Sequence, residues 1–338
     1  MLSKFWQGAK SWLPGLVISA ICIILILYFV DLHELVDAIR EANIAWLALS
    51  VVIGVIWLVV RSLVWRTLLR ERASFRDAFL TVNEGYLLNN FLPLRLGELG
   101  RAFLLSRKAD LTFMEILPTI VIERIIDLAF SAIILLGAVP FVPGMPEVFK
   151  RSAYVAGAVV VVGLVALYIL AQKHDWALAT FDKFSVRWPM LQRLGGDLLK
   201  SFFEGLAILT DGWLFLRVLG LMTLNWSIAI VQFLVLLLAF FPTAQVPWAM
   251  FGLGAVAFGG AVPALPGGVG TYEASLSAAL TLVTSDSARS LAAAIIAHVL
   301  AYLVSGVLGI YALSTEGETL SGVYRELIEF RQAGQKDQ

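Results

Sequence analysis

Two short segments carry charged and amide side chains among apolar residues. The first segment, residues 83–101, reads NEGYLLNNFLPLRLGELGR, and the second, residues 121–127, reads VIERIID. A guanidinium binds phosphate as a planar fork and stays charged when partly desolvated. Arg95 and Arg101 of the first segment are therefore candidate ligands for an anionic headgroup. The candidate binding residues in both segments are Asn89, Asn90, Arg95, Glu98, Arg101, Glu123, Arg124 and Asp127.

Three charges in the second segment fall together on one helix face. Glu123 and Asp127 are four residues apart, and Arg124 reaches Asp127 at a spacing of three. Charges at membrane depth are costly unless they are paired or hydrated. Two interpretations stay open: a structural ion cluster that fastens this helix to a neighbour, or a cavity wall shared with the charges of the first segment.

The other candidates also allow two roles. Asn89 and Asn90 can satisfy free backbone groups or bind a headgroup, and we expect the backbone role for at least one asparagine of the segment. Glu98 can balance an arginine or carry a proton, because an apolar cavity raises the pKa of a carboxyl group. Glu273 follows PGGVG at the start of a helix, where it can cap the helix or belong to the site.

Proline and glycine interrupt the apolar pattern inside the first segment. Pro93 removes a backbone donor, and Gly97 and Gly100 loosen the backbone around it. Backbone groups freed in lipid must find partners within the protein or in a wet cavity. The pattern predicts a broken, re-entrant helix whose polar side chains face a cavity.

Composition identifies the class of protein. The chain is 59% hydrophobic and 15% charged, with a mean hydropathy of +0.85, which indicates an integral membrane protein. Its net charge of zero gives no reason to expect a nucleic-acid partner. A single cysteine, Cys22, excludes an intrachain disulfide, and the three scattered histidines do not suggest a metal centre. No P-loop, dinucleotide fingerprint or Ser-His-Asp pattern is present, so we expect no cofactor, and enzymatic activity is the less favoured interpretation.

The apolar runs predict an all-α membrane protein with about six transmembrane helices and two re-entrant hairpins in a single domain, residues 1–338. An acidic amphipathic helix is expected at 31–43, interfacial cytoplasmic helices at 173–211 and a cytoplasmic tail at 314–338. The predicted spans are 13–30, 44–60, 113–139, 154–170, 213–240 and 291–313, and the second hairpin is 248–283. The arginines from Arg61 onward are assigned to a cytoplasmic loop, which places both termini in the cytoplasm and the protein in the plasma (inner) membrane.

A shift of 170 residues aligns the two halves. Pro93, Gly97 and Gly100 fall on Pro263, Gly267 and Gly270, and the flanking spans also correspond. Three predicted crossings separate the units, residues 44–139 and 213–313, so the repeat is expected to be inverted, with the substrate site between the two breaks. Two ordinary kinked spans in a parallel repeat are the alternative.

The motifs NNFLPLRLGELGRA, VIERIID and PALPGGVGTYE resemble the flippase-like membrane family that includes the transmembrane region of lysylphosphatidylglycerol synthases. The resemblance covers about residues 13–313 and implies a lipid flippase fold. The full synthases carry a soluble aminoacyl-transferase domain after the membrane region, so lipid lysylation is not expected of this chain alone. By matching position the resemblance points to Asn90, Pro93, Arg95, Gly97, Glu98, Arg101, Glu123, Arg124, Asp127, Pro266, Gly267, Gly270 and Glu273.

Three functions are consistent with these features. The favoured one is a transporter that moves a phosphate-bearing lipid, either an anionic phospholipid or a polyprenyl-phosphate-linked lipid, between leaflets. The alternatives are an intramembrane transferase acting on a lipid-linked substrate and a non-transporting membrane partner of a glycosyltransferase. A homo-oligomer and a complex with a partner enzyme are both open.

Overall fold

The computed structural model describes most of the chain as helix. The described residues are 17–26, 28, 30–92, 96–142, 145, 147–173, 176, 183, 211–259, 265–320, 322, 323, 325 and 326. No strand occurs among them, which confirms the all-α class. Pro93, Arg95 and Pro263 lie outside the described residues, as do nearly all of the predicted interfacial segment 173–211 and the end of the tail.

The helices of the described part of the chain are numbered in order. They are α1 (Val17–Ile26), α2 (Leu32–Glu41), α3 (Ile44–Leu68), α4 (Phe75–Phe91), α5 (Leu96–Ser106), α6 (Phe113–Ala138), α7 (Glu147–Gln172), α8 (Gly212–Leu238), α9 (Val246–Gly259), α10 (Thr271–Thr284) and α11 (Ser287–Thr315). Short 3₁₀ turns occupy Val139–Phe141 and Pro266–Gly268.

Polar side chains begin many of these helices by accepting hydrogen bonds from free backbone amides. The Asn43 side chain accepts from the first turn of α3, and Asp286 does so for α11. Thr112 and Glu115 form a reciprocal capping box at the start of α6. These caps supply partners for amides that have none within the helix, which fixes the helix starts.

Among the helices of the described residues, three are long and apolar enough to cross a membrane: α3, α8 and α11. The predicted end of the second span at residue 60 is wrong, because α3 continues to Leu68. Arg61 and Arg66 therefore lie within the helix and not in a loop. The charge of Arg61 is paired inside the protein, so it does not end the helix.

The first break joins two helices that run side by side in opposite directions. A Cβ added at Gly97 in α5 would lie 2.2 Å from the carbonyl oxygen of Gly85 in α4 and 2.6 Å from Oδ1 of Asn89. At the far end of α5, the Nζ of Lys108 contacts Glu84 at 2.7 Å. α4 and α5 therefore form a helical hairpin.

A second hairpin is formed by α9 and α10. A Cβ added at Gly259 would lie 1.9 Å from the Oγ of Ser275, so the two helices approach closely. Between them Gly267 and Gly270 have φ angles of +70° and +90°, a region that glycine enters without strain. The break here is a glycine-dependent turn, in agreement with the predicted interruption.

Helix packing joins the two halves of the chain. α8 packs along α3, α11 packs on α4 and α10, and α9 packs on α6. Adding 170 to the bounds of α3 gives 214–238, which falls within α8, Gly212–Leu238. The same shift takes α4 to 245–261, against Val246–Gly259 for α9. The helix order thus keeps the register of the sequence repeat.

Replacing Gly97 by alanine should destabilise the first hairpin. Its added methyl group would collide with backbone atoms, and overpacking of this kind costs about 1–3 kcal/mol. We expect a lower melting temperature in detergent by intrinsic fluorescence. Gly220→Ala is the matched control, since a Cβ there meets nothing within 4 Å; equal melting temperatures for the two variants would contradict the close packing at Gly97.

Candidate functional site

A buried ion network joins α3, α5 and α6. Its centre is the carboxylate of Glu123, whose side chain is 0% exposed. Arg101 on α5 donates from Nη2 to Oε2 of Glu123 at 2.5 Å, and Arg61 on α3 contacts Oε1 of the same group. One carboxylate thus forms salt bridges with two guanidiniums from two other helices.

Asp127, one turn further along α6, completes the pairing of Arg61. The Nη1 and Nη2 atoms of Arg61 donate to the two oxygens of Asp127 at 2.8 and 2.5 Å. This two-bond arrangement suits a planar guanidinium and a carboxylate. Sequence reasoning missed Arg61, although the apolar pattern continues past it to Leu69 and so indicated that the helix did not end there.

Arg101 is held on both sides by protein groups. Its guanidinium carbon lies 4.2 Å from the ring centroid of Trp65, and the indole Nε1 of Trp65 donates to Thr119 at 3.1 Å. Arg101 is 4% exposed, so it does not lie at a surface as a simple terminal cap would. Its charge serves mainly to neutralise Glu123 and to fasten α5 to α6.

Arg124 differs from the other two arginines because its side chain is 32% exposed. Its Nη2 lies 3.3 Å from Glu123 and 3.4 Å from Asp127, and its Nε lies 3.6 Å from Oε1 of Glu98. The contact with Glu98 is too long for a hydrogen bond. Arg124 therefore borders the network while part of its guanidinium remains accessible.

An open groove of about 500 Å³ lies between α5 and α6, and Arg124 and Glu98 are its polar residues. The remaining walls are apolar: Leu99, Leu117, Ile120, Val121, Ile125 and Leu128. A ligand with a charged end and a hydrocarbon chain matches this distribution of polar and apolar surface.

The asparagines at the hairpin tip make contacts within the protein. Asn89 accepts from the backbone N–H of Gly97 at 2.9 Å, which is the backbone role expected for at least one asparagine. Asn90 donates to the Oγ of Ser305 on α11 at 2.8 Å. These bonds fix the hairpin tip, outside the ion network.

Glu273 takes part in a separate polar cluster at the second break. Its Oε2 accepts from the N–H of Gly270 at 2.7 Å, the capping role considered for it, and its Oε1 lies 2.6 Å from Nδ1 of His298.

The structure brings together five of the predicted residues, Glu98, Arg101, Glu123, Arg124 and Asp127. Within the described residues, no group of three potential metal ligands gathers.

Glu71 of the α3–α4 loop forms an exposed ion pair with Arg217 of α8. Arg217 donates to Glu71 at 2.7 Å. This hydrogen bond and the positive charge of Arg217 lower the pKa of Glu71. The pair is solvated and exposed, unlike the pairs of the buried network, and salt bridges of that kind contribute little to stability.

Comparison with known proteins gives three findings. The family model of the lysylphosphatidylglycerol synthase TM region matches residues 12–309. The chain is 24% identical to glycosyltransferase AglD of Haloferax volcanii, over 94% of this chain and 56% of that protein. It is also 27% identical to a UPF0104 membrane protein of Methanocaldococcus jannaschii, over 34% of this chain and 35% of that protein. No solved structure matches the chain.

The chain spans about half the length of the Haloferax relative and about a third of the Methanocaldococcus one. The family match, in contrast, covers nearly the whole chain and includes both helical hairpins and the ion network. The protein therefore belongs to the family of the lysylphosphatidylglycerol synthase transmembrane region.

Proposed function

We propose that this membrane protein transports a lipid with a phosphate-bearing headgroup between the leaflets of the bilayer. The observation that carries the proposal is the groove between α5 and α6, where a partly exposed guanidinium stands among apolar walls. An anionic phospholipid and a polyprenyl-phosphate-linked lipid share the necessary chemistry, a phosphate joined to a long hydrocarbon chain.

Arg124 is the headgroup ligand in this proposal. Its side chain is 32% exposed, and Glu98 approaches it only at 3.6 Å. Because its Nε is buried, a phosphate oxygen entering the groove would form a short, charge-assisted bond with the accessible end of the guanidinium. Glu98 then acts as a weak internal competitor that occupies Arg124 when no lipid is bound.

Helix lengths support re-entrant hairpins. α4 has 17 residues and α5 has 11, which at 1.5 Å per residue gives about 25 and 16 Å. α9 and α10 have 14 residues each, or about 21 Å. The hydrocarbon core is about 30 Å thick, so each hairpin is suited to entering the membrane and returning to the same side.

In this arrangement the two hairpins enter from opposite leaflets as an inverted repeat. The apolar runs predict about six spans, and the positions of the basic residues predict cytoplasmic termini for a protein of the plasma (inner) membrane. The ion network lies beside the first hairpin and holds α5 against α6 at the groove. Movement of that hairpin would transfer a bound headgroup, while the lipid chain stays in the bilayer.

The Haloferax relative favours a second candidate function. That protein is named a glycosyltransferase, and this chain matches 56% of it. A membrane unit that presents a lipid-linked sugar carrier to a partner glycosyltransferase is consistent with that match and with the same groove. Catalysis by the chain itself would need a general base, for which Glu98 is the exposed carboxylate at the groove.

Replacing Arg124 by glutamine should abolish headgroup-dependent transport and leave the fold intact, because the side chain lies at the edge of the network. We expect at least about a tenfold lower rate, equivalent to the loss of one charge-assisted bond. The measurement is dithionite quenching in proteoliposomes containing NBD-labelled phosphatidylglycerol, with a fluorescent polyprenyl phosphate assayed in parallel.

Arg217→Gln is the matched control, since it removes an exposed arginine that pairs with Glu71 far along the chain from the groove residues. Equal transport by the two variants would remove Arg124 from headgroup binding. If the unsubstituted protein moves neither lipid but co-purifies with a glycosyltransferase, the second candidate function replaces the transporter.

Replacing Val121 by tryptophan should block the groove sterically without changing any charge. Val121 is 37% exposed on the groove wall, so a larger ring fits without entering the core. We expect slower transport of both labelled lipids at an unchanged melting temperature. Val307→Trp, on the exposed face of α11, is the control; a similar loss there would show that the effect is not specific to the groove.

Replacing Arg61 by glutamine should instead destabilise the protein. The substitution leaves Asp127 and Glu123 short of a positive charge in a buried site, which costs about 3–5 kcal/mol. A large fall in melting temperature is expected, and Arg61→Gln/Asp127→Asn should recover part of it. No recovery in the double variant would contradict direct pairing of the two side chains.

A further inference from the structure

The second break contains a buried histidine with an acceptor opposite each ring nitrogen. Nδ1 of His298 lies 2.6 Å from Oε1 of Glu273, and Nε2 lies 3.1 Å from the carbonyl oxygen of Gly267. The ring is stacked between Tyr272 and Tyr302, at centroid distances of 4.2 and 4.6 Å. The imidazole is therefore fixed in its plane and along both of its polar edges.

Proton counting shows what the two contacts need in order to be hydrogen bonds at the same time. A carbonyl oxygen only accepts hydrogen bonds, so the contact with Gly267 needs a hydrogen on Nε2 of His298. The 2.6 Å contact with Glu273 needs a second hydrogen, on Nδ1 or on the carboxyl group. A neutral imidazole beside an ionised carboxylate has one hydrogen for the two contacts, so both bonds form only when one further proton is bound.

We infer that His298 and Glu273 form a proton-binding site that holds the second break closed, and that release of this proton opens the break. The ligand is a single proton, which is bound and released without other chemistry. As a coupling site for transport, the inference rests on the proposed function; as a proton site, it stands on the contacts alone.

The two residues that share the proton also contact the backbone of the break. Glu273 also accepts from the N–H of Gly270, and His298 holds the carbonyl of Gly267. The hydroxyl of Tyr302 donates to the carbonyl of Pro266 at 3.2 Å. Loss of the proton would remove one of the two His298 bonds, either the one to Glu273 at the start of α10 or the one that ties the turn at Gly267 to α11.

Few other ionisable groups face His298. Tyr272 and Tyr302 stack on its ring, and Glu273 is the carboxylate in contact. On α1, Ser19 accepts from the N–H of Leu265, and the ionisable residue of that helix is Cys22, one turn from Ser19. On α4, Asn90 contacts Ser305 of α11, and the ionisable residue Glu84 lies nearly two turns before Asn90. α9 has no ionisable side chain. On α11 itself, Arg289 lies nine residues away, about 13 Å along the helix. Within the described part of the chain, the proton therefore has one carboxylate partner.

The first test detects the proton itself. The chain has three histidines, so His33→Gln/His174→Gln leaves His298 as the single histidine. We expect imidazole ¹⁵N spectra in nanodiscs at about pH 7.5, where an isolated histidine is mostly neutral, to show Nε2–H and a proton-bonded Nδ1. A neutral ring at that pH, with either nitrogen bare, would overturn the proton site, whatever the protein transports.

The second test measures coupling with Glu273→Gln. A glutamine can accept from Gly270 and donate to Nδ1 of a neutral His298, so it keeps the bonds but has no exchangeable proton. Hydrogen exchange of residues 265–274, corrected for the intrinsic pH effect, should rise by up to about tenfold per pH unit in the unsubstituted protein as the proton is lost. We expect the variant to show no such rise.

Glu41→Gln is the control for this test, because Glu41 pairs with Arg289 on the same helix α11 at 3.2 Å and lies on the exposed surface. It should keep the rise seen in the unsubstituted protein. A rise that persists in Glu273→Gln would overturn the link between proton and break.

Transport assays separate the inference from the proposed function. If lipid transport depends on pH in the unsubstituted protein and not in Glu273→Gln, the proton site is coupled to transport. If hydrogen exchange behaves as expected but no lipid moves at any pH, the proposed function fails and the proton site stands. If transport by both proteins has the same pH dependence, the coupling is overturned.

Discussion

The enclosure of one carboxylate by guanidiniums is the interaction on which the first half of this protein depends. Glu123 is completely buried, and an isolated charge in that position would be prohibitively unfavourable. Arg61 and Arg101 contact it from two different helices, and Asp127 supplies the second negative charge that balances these two guanidiniums. Charge neutrality therefore requires α3, α5 and α6 to be adjacent, more strictly than apolar contacts among helices in lipid would.

The same network separates structural charges from a charge available for binding. Arg61 and Arg101 are buried, whereas Arg124 is only partly enclosed and faces an apolar groove. The buried members form the structural ion cluster that was one interpretation of the α6 charges, and headgroup binding by Arg124 is our proposal. A groove that combines accessible charge with hydrocarbon walls suits an amphipathic lipid better than a soluble ligand.

The two breaks in the chain are closed by different chemistry. At the first, Asn89 accepts from Gly97, and the amide side chain has no charge to lose near neutral pH. At the second, His298 and Glu273 close the turn by contacts that need a proton. The contact at the first break therefore involves no ionisable group, whereas the contact at the second break is the one that we propose responds to protonation.

The sequence alone determined the membrane class, the helical fold and the positions of both breaks, because apolar run length and proline–glycine interruptions act locally. It also placed Glu123, Arg124 and Asp127 on one helix, since a spacing of three or four residues fixes a shared face. Only the tertiary structure showed that Arg61 belongs to the network and that His298 reaches Glu273. Those contacts join residues 62 and 25 positions apart, and such pairing is decided by which helices pack together, which local pattern does not encode.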